Sequence, residues 1–334
     1  MYNFNIKQNP ISSLTGFGGG IGGLSLISGL SEKPYFGDRG IWSGGQEVQT
    51  SALLETTQYV SLTSTGNASV GGNLTDDLRN GSSCSNGSRA LYIGGKSLGH
   101  GGSMGAEVDV IDYQTISTAA ACQDFGDMTT DTAYSAACSN GTRGVYGGGE
   151  APSRTNTIGF VTIDTTSNAS DFGDLYLARN EHAGLSNGTR GVFAAGSAAS
   201  GLINSIEYIT IDTNGNGTDL CDLNYTAYTV TGCGNRDRAI VSMGRAQSYY
   251  GTTNISYFDP TSTSNAQDFG DLTFARTYGV AVNNETRAVF AGGKNSSDNY
   301  GDVIDYITIA STGDASDFGD LIQETVNHQG TSGD

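Results

Sequence analysis

Apolar residues in this chain come in short runs, and nowhere does an apolar position recur every 3.6 residues over the length of a helix. The runs are rich in Val, Ile, Tyr and Phe and are bounded by clusters of Gly, Asn, Asp and Ser, the pattern of strands and turns. Six runs share one plan. They open on Arg39, Arg89, Arg143, Arg190, Arg238 and Arg287, and each ends on a glycine six residues later: Gly45, Gly95, Gly149, Gly196, Gly244 and Gly293. An aromatic follows in every copy, at Tyr59, Tyr113, Phe160, Tyr208, Tyr257 and Tyr306. Twelve residues on stands Phe125, Phe172, Phe269 or Phe318 within Asp-Phe-Gly-Asp, with Leu220 in Asp-Leu-Cys-Asp and Gly71 in the degenerate first copy. Two residues further come Asn73, Asp127, Asp174, Asp222, Asp271 and Asp320, and from the first five the next Arg is 16 residues away.

A repeat of roughly 50 residues made of short strands predicts the blades of a β-propeller. In each blade one strand precedes the Arg (Ser135 to Cys138), and an Asn-Gly turn leads to the second (Arg143 to Tyr146). The third carries the aromatic (Ile206 to Ile211), and a short edge strand is expected after the Asp-Phe-Gly-Asp turn. Sixteen residues beyond Asp320 the numbering passes the last residue, Asp334, while Arg39 has no good strand before it. Glu324 to Thr331 is therefore expected to supply the first strand of the blade that Arg39 begins, which closes the ring and removes the exposed edges of an open array. The expectation is an all-β, six-bladed propeller over 39–334, its blades starting near 39, 89, 143, 190, 238 and 287 and closed by N- and C-terminal strands. Residues 1–38 form a Gly-rich N-terminal arm outside it.

These residues resemble the kelch repeat, in which an apolar strand ends in Gly-Gly and an aromatic strand and a Trp follow. Gly44-Gly45, Gly94-Gly95, Gly148-Gly149 and Gly292-Gly293 match the double glycine, whereas Ala195-Gly196 and Met243-Gly244 keep only its second member. Phe stands where kelch repeats have Trp. Phrases such as Ile304-Asp305-Tyr306-Ile307-Thr308-Ile309, running into Asp317-Phe318-Gly319-Asp320, are similar to repeat proteins of marine bacteriophage of the cyanophage type. That resemblance implies a kelch-like propeller in a virion, made in the host cytoplasm.

Charge and composition narrow the partners. With 34 acidic against 16 basic residues the formal net charge is −18, which repels the chain from nucleic acid. The N-terminus has no convincing signal peptide, and its uncharged stretch from Ile11 to Leu30 carries too many glycines for a membrane span. Five cysteines include no Cys-x-x-Cys pair, and Cys84, Cys138 and Cys233 recur at one place in different blades, as buried thiols would. His100, His182 and His328 sit in no metal-ligand spacing, so neither metal nor cofactor is expected.

Candidate chemistry follows the repeat, which argues against a unique catalytic site. Asp-Phe-Gly is the metal-binding motif of protein kinases, but here it recurs blade after blade, as a packing and turn element does. No His recurs beside a candidate nucleophile. The six repeat arginines admit two readings: a ring of guanidinium groups for sulfated or phosphorylated glycans, or internal pairing of each with a repeat Asp, which their shared register favours. In the arm, Phe17, Ile21, Leu24 and Leu26 are too few to build a core, so it either lies against the propeller or docks in another protein, and docking is favoured because an arm that orders on binding covers much surface. The expected function is a non-enzymatic structural or interaction protein, attached by the arm to other tail or appendage proteins of a virion. An adhesin for a host-surface polysaccharide is the alternative, and a kelch-type hydrolase or oxidase the least favoured reading.

Overall fold

The computed structural model describes residues 36–47, 50–99, 105–246, 251–295 and 301–333. Within them the repeat folds into six antiparallel sheets of four main strands, one sheet per blade. Blade 2 runs from the axis outward as Ser82–Ser85, Arg89–Ser97, Ala106–Thr115 and Gln123–Asp127. Blade 3 is Ala136–Ser139, Arg143–Gly147, Thr157–Thr162 and Ser170–Asp174, and blade 4 is Ala183–Ser186, Arg190–Ala198, Gly201–Thr210 and Thr218–Asp222. Blade 5 comprises Thr231–Gly234, Ala239–Ser242, Thr252–Phe258 and Gln267–Arg276, and blade 6 Val280–Asn283, Arg287–Ala291, Val303–Thr308 and Ser316–Asp320.

Blade 1 draws on both ends of the chain. Its inner strand is Gln329–Gly333, paired with Arg39–Ser43 in the register Arg39 to Gly333 and Ser43 to Gln329. Thr56–Ser61 and Ser69–Asn73 complete it. The closing strand thus lies a few residues later than the sequence places it, because Thr325–Val326 is occupied in a separate two-residue pairing with Gln46–Glu47. A second difference concerns the edge strand. Asp-Phe-Gly-Asp does not precede that strand but forms it, as in Ser170–Asp174 and Ser316–Asp320. The motif's glycine sits at a register shift, and at Gly173 its φ is +148°. A Cβ at Gly173 would lie 2.7 Å from the carbonyl carbon of Gly215 in blade 4, so the close approach of the next blade requires glycine.

Three devices bind each blade to the next. First, the edge strand is covered. Gly215 and Gly217 donate their N–H groups to Phe172 and Asp174, and Gly66 and Ala68 donate to Phe318 and Asp320 across the ring closure. An edge that would otherwise be open to aggregation is thereby paired. Second, the motif phenylalanine is buried against the neighbour. Phe125, 2% exposed, packs with Ala137, Tyr146, Val161 and Ile163 of blade 3, which stabilises that interface by about 1.5–3 kcal/mol. Its own blade's aromatic meets it edge-on, with ring centroids of Tyr113 and Phe125 6.1 Å apart.

The third device is a buried polar side chain on the third strand, one residue before the aromatic. Asp112 accepts from the Thr75 N–H (2.8 Å) and hydroxyl (2.7 Å), and Gln58 accepts from the Ile322 N–H at 2.8 Å. Glu207 and Asp305 do the same for Tyr176 and Thr273, and each also faces a buried arginine: Arg179 on Glu207 at 2.5 Å and Arg276 on Asp305 at 2.8 Å. In blade 3 a glycine, Gly159, holds this position, and the Tyr146 hydroxyl takes the Thr129 N–H instead. Every such bond ties the segment leaving one blade to the sheet of the following one.

Candidate functional site

The repeat arginines, the most regular cations in the sequence, are used internally. Each guanidinium lies over the aromatic of its own blade, at 4.6 Å for Arg39 on Tyr59, 4.4 Å for Arg89 on Tyr113 and 4.5 Å for Arg143 on Phe160. Arg190 on Tyr208, Arg238 on Tyr257 and Arg287 on Tyr306 follow at 4.0, 4.5 and 4.9 Å. Each then donates to a carbonyl of the next blade, as Arg89 does to Ile163 (2.8 Å) and Arg287 to Leu62 across the closure (3.2 Å). The expected partner, a repeat Asp, is not the one used. The planar guanidinium stacks on the ring while its N–H fork reaches a strand-end carbonyl. The turn aspartates bind elsewhere: Asp164 and Asp212 accept from the side-chain amides of Asn86 and Asn140.

The two ends of the central axis differ. At the end bearing the Asn-Gly turns, the inner strands present Ser85, Ser139, Asn283 and Ser332, with Phe36 also lining the opening. Ser85 and Ser139 donate to the carbonyls of Ser332 and Ser85, and Asn283 to that of Gly234 at 2.7 Å, so this end is belted by side chains.

The opposite end is belted by backbone. The residue entering each inner strand (Asn80, Tyr134, Glu181, Thr229, Tyr278 or Asn327) has φ between +53° and +62°. Left-handed backbone is disfavoured for Tyr, Glu and Thr, and its recurrence in every blade has a local cause. In five of the six the turn aims the N–H at the previous blade's carbonyl: Tyr134 to Asn80 (2.7 Å), Glu181 to Tyr134 (3.1 Å), Thr229 to Glu181 (2.7 Å), Asn327 to Tyr278 (3.0 Å) and Asn80 to Asn327 (2.9 Å). The side chains at these positions are turned toward a shared mouth. Asn80, Tyr134, Glu181, Tyr278 and Asn327, together with Arg79 and Lys294, line a cavity of about 350 Å³.

Cations gather around this mouth. Sixteen lysines and arginines occur in the chain, of which Lys7 and Lys33 lie outside the described residues. Of the other fourteen, six are the stacked repeat arginines, two sit in the buried pairs, and Arg236 is in a turn at the far end. Of the remaining five, Arg79 and Lys294 line the cavity, while Lys96, Arg154 and Arg245 stand beside its Tyr134 and Glu181. Arg79 bridges to Lys96, Tyr228 to Arg245 and Thr277 to Lys294, each pair joining the segment before an inner strand to a residue at or just past the end of a second strand. Lys96 lies over Tyr134 at 5.2 Å and Lys294 over Tyr278 at 5.7 Å, while Arg154 donates to Asn180 and Ser197. The opposing charges are Glu107, paired with Lys96 at 3.0 Å, and Glu150 and Glu181. Burial, reinforced by Glu150, raises the Glu181 pKa to about 7 against the pull of Arg154 and Arg245.

Sequence reasoning missed this group because its members occupy non-equivalent repeat positions. The signal available was subtractive: they are the cations left once the repeat is accounted for. The arm residues Phe17, Ile21, Leu24 and Leu26 lie outside the described residues. The cysteines are unpaired and buried, with thiol pKa values pushed up by desolvation, to about 12 for Cys84 and about 11 for Cys221. His182 and His328 are buried beside Arg179 and Arg276, and desolvation drives their pKa values down to about 3. Among the described residues no three His, Cys, Asp or Glu side chains group as metal ligands, and no helix is long and apolar enough to cross a membrane.

Sheets, interlocks and axial mouth together define a six-bladed β-propeller with two unlike ends. The solved structure of YjhT is similar to it, with a TM-score of 0.65 at 12% identity over 86% of this chain and 99% of that one. At that identity the likeness is one of fold. No family model matches the sequence, and no curated protein matches it.

Proposed function

We propose that this propeller is a docking module, held through its N-terminal arm to other proteins of a virion tail or appendage, and presenting its cationic mouth outward. The observation that carries this reading is the asymmetry of the axis. Phe36, the first described residue, lines the Ser- and Asn-rich opening. Gln46, Lys96, Glu150, Ser197, Arg245 and Lys294, at or just past the ends of the second strands, lie at the other end. Phe36 and the ends of the second strands are then at opposite ends of the axis, which suits a platform anchored through the segment before Phe36. The kelch and bacteriophage assignments rest on the sequence resemblance.

Deleting residues 1–30 tests the anchor. The shortened protein should keep its melting transition and fail to enter particles when co-expressed with the other virion proteins. Full occupancy without the arm would move the docking surface onto the propeller. The adhesin reading shares the same outward face, and binding of the isolated protein to host envelope but not to virions would favour it.

A further inference from the structure

We infer that the cationic mouth is a binding site for an anionic polysaccharide, taking one or two sugar units bearing carboxylate or sulfate groups into the space between Tyr134 and Tyr278. This rests on the outward face assigned above but not on the anchor. Three independent observations converge on it.

The first is charge placement. In a chain of net charge −18, Arg79 and Lys294 line one opening, Lys96 lies over Tyr134 of its lining, and Arg154 and Arg245 act on its Glu181. At physiological ionic strength the Debye length is about 8 Å, so a bound group senses these neighbours and little of the distant acidic surface. The arrangement suits anionic groups spaced along a chain. A DNA duplex, which carries a charge every ~1.7 Å, would have to press against the acidic remainder of the disc.

The second is shape. The cavity of about 350 Å³ falls at the lower end of the ~300–1,000 Å³ range of small-ligand pockets. It is a mouth for a short segment, not a groove for a folded partner.

The third is the lining. Tyr134 and Tyr278 enter blades 3 and 6, which are opposite one another in the ring, and each has a lysine ammonium over its ring. Aromatic rings offer apolar faces to the C–H faces of a sugar. Asn80 and Asn327 supply amide groups for its hydroxyls. Glu181 faces Tyr134 on the neighbouring segment, Glu150 and Arg154 of blade 3, and Arg245 of blade 5. With its pKa raised to about 7 it changes charge near neutrality, and its protonated form can donate a hydrogen bond to a ligand carboxylate. Binding should therefore tighten as the pH falls from 8 to 6.

The test is calorimetric titration of the full chain with four polymers: a polyuronate, a sulfated galactan, neutral dextran and duplex DNA. Micromolar binding of the polyuronate or the galactan, with neither dextran nor DNA bound, is expected, and the preferred polymer identifies the acidic group. Arg245→Gln with Lys294→Gln should weaken it about tenfold, or ~1.4 kcal/mol, with an unchanged melting midpoint. Tyr134→Phe, which keeps the ring, should bind nearly as the parent does. Glu181→Gln should remove the dependence on pH while leaving the fold intact. The inference fails if neither anionic glycan binds, if DNA or dextran binds as well, or if the folded double variant binds unchanged. Failure here leaves particle incorporation through the arm untouched, so the two readings fall separately.

Discussion

Removing Arg276 isolates what a buried charge contributes to a blade junction, because the ring contains its own comparison. Arg276 and Asp305 are both fully buried, 2.8 Å apart, and Arg276 also donates to the carbonyls of Val303 (3.0 Å) and Phe290 (3.2 Å). Burial lowers the guanidinium pKa to about 10, with Asp305 only partly offsetting it. The equivalent position in blade 2 is Leu78, and there Asp112 is equally buried yet has no arginine, holding Thr75 alone while desolvation raises its pKa. Arg276→Leu converts blade 6 to that pattern. Stranding one partner of a buried pair costs ~3–5 kcal/mol. Arg276→Leu with Asp305→Asn leaves no charge behind and should lose only about 1–2 kcal/mol, so that it is ~2–3 kcal/mol more stable than the single variant in urea titrations. A carboxylate buried without a cation binds its proton more tightly folded than unfolded, so stability is retained at low pH and lost as pH rises from the ordinary carboxylate value toward the raised folded one. The Arg276→Leu deficit should thus shrink between pH 7 and pH 5. Equal stability of the single and double variants, or a deficit constant with pH, would refute the reasoning.

Three further outcomes are expected. Removing 324–334, which contains the inner strand of blade 1, should lower the melting midpoint of the whole ring; fraying of blade 1 alone, seen by hydrogen exchange, would contradict closure. Gly270→Ala should destabilise by at least ~2 kcal/mol, since φ there is +149° and the new Cβ would crowd Gly313 of blade 6; a change below ~0.5 kcal/mol in denaturant titration would count against the close approach. The buried thiols should react with a thiol reagent only on unfolding, and their raised pKa values mean that stability falls as pH rises above ~8.5, by about 1.4 kcal/mol per unit for each thiol; replacing Cys84, Cys138 and Cys233 by Ala should flatten that alkaline slope.

Most of the fold was readable because its joints recur. Arg, Gly-Gly, the aromatic and Asp-Phe-Gly-Asp each make the same contact in blade after blade, so their spacing carries the architecture. What the repeat could not disclose was direction of contact. Arg89 and Asp127 recur in register, which suggests a pair, yet Arg89 stacks on Tyr113 and reaches Ile163 of the next blade. The closing strand was shifted for a similar reason, since nothing in Thr325–Val326 announces a pairing with residues 46 and 47. The mouth was hidden because Arg79, Lys96, Arg154, Arg245 and Lys294 are far apart in sequence and come together only through ring closure.

Blade 1 couples Arg39 to Gly333, and this has a kinetic consequence. The other blades assemble from strands adjacent along the chain, whereas this one must bring together segments separated by nearly the whole ring. For a flexible loop of that length the length-dependent part of the closure entropy is ~5 kcal/mol. Folding should therefore pause as an open five-blade arc before the last junction seals. A circular permutant that joins the two ends and opens instead at the turn between Asn140 and Gly141 would shift that pause to blade 3. The disc has no structural beginning, and which junction seals last is set by where the chain is cut.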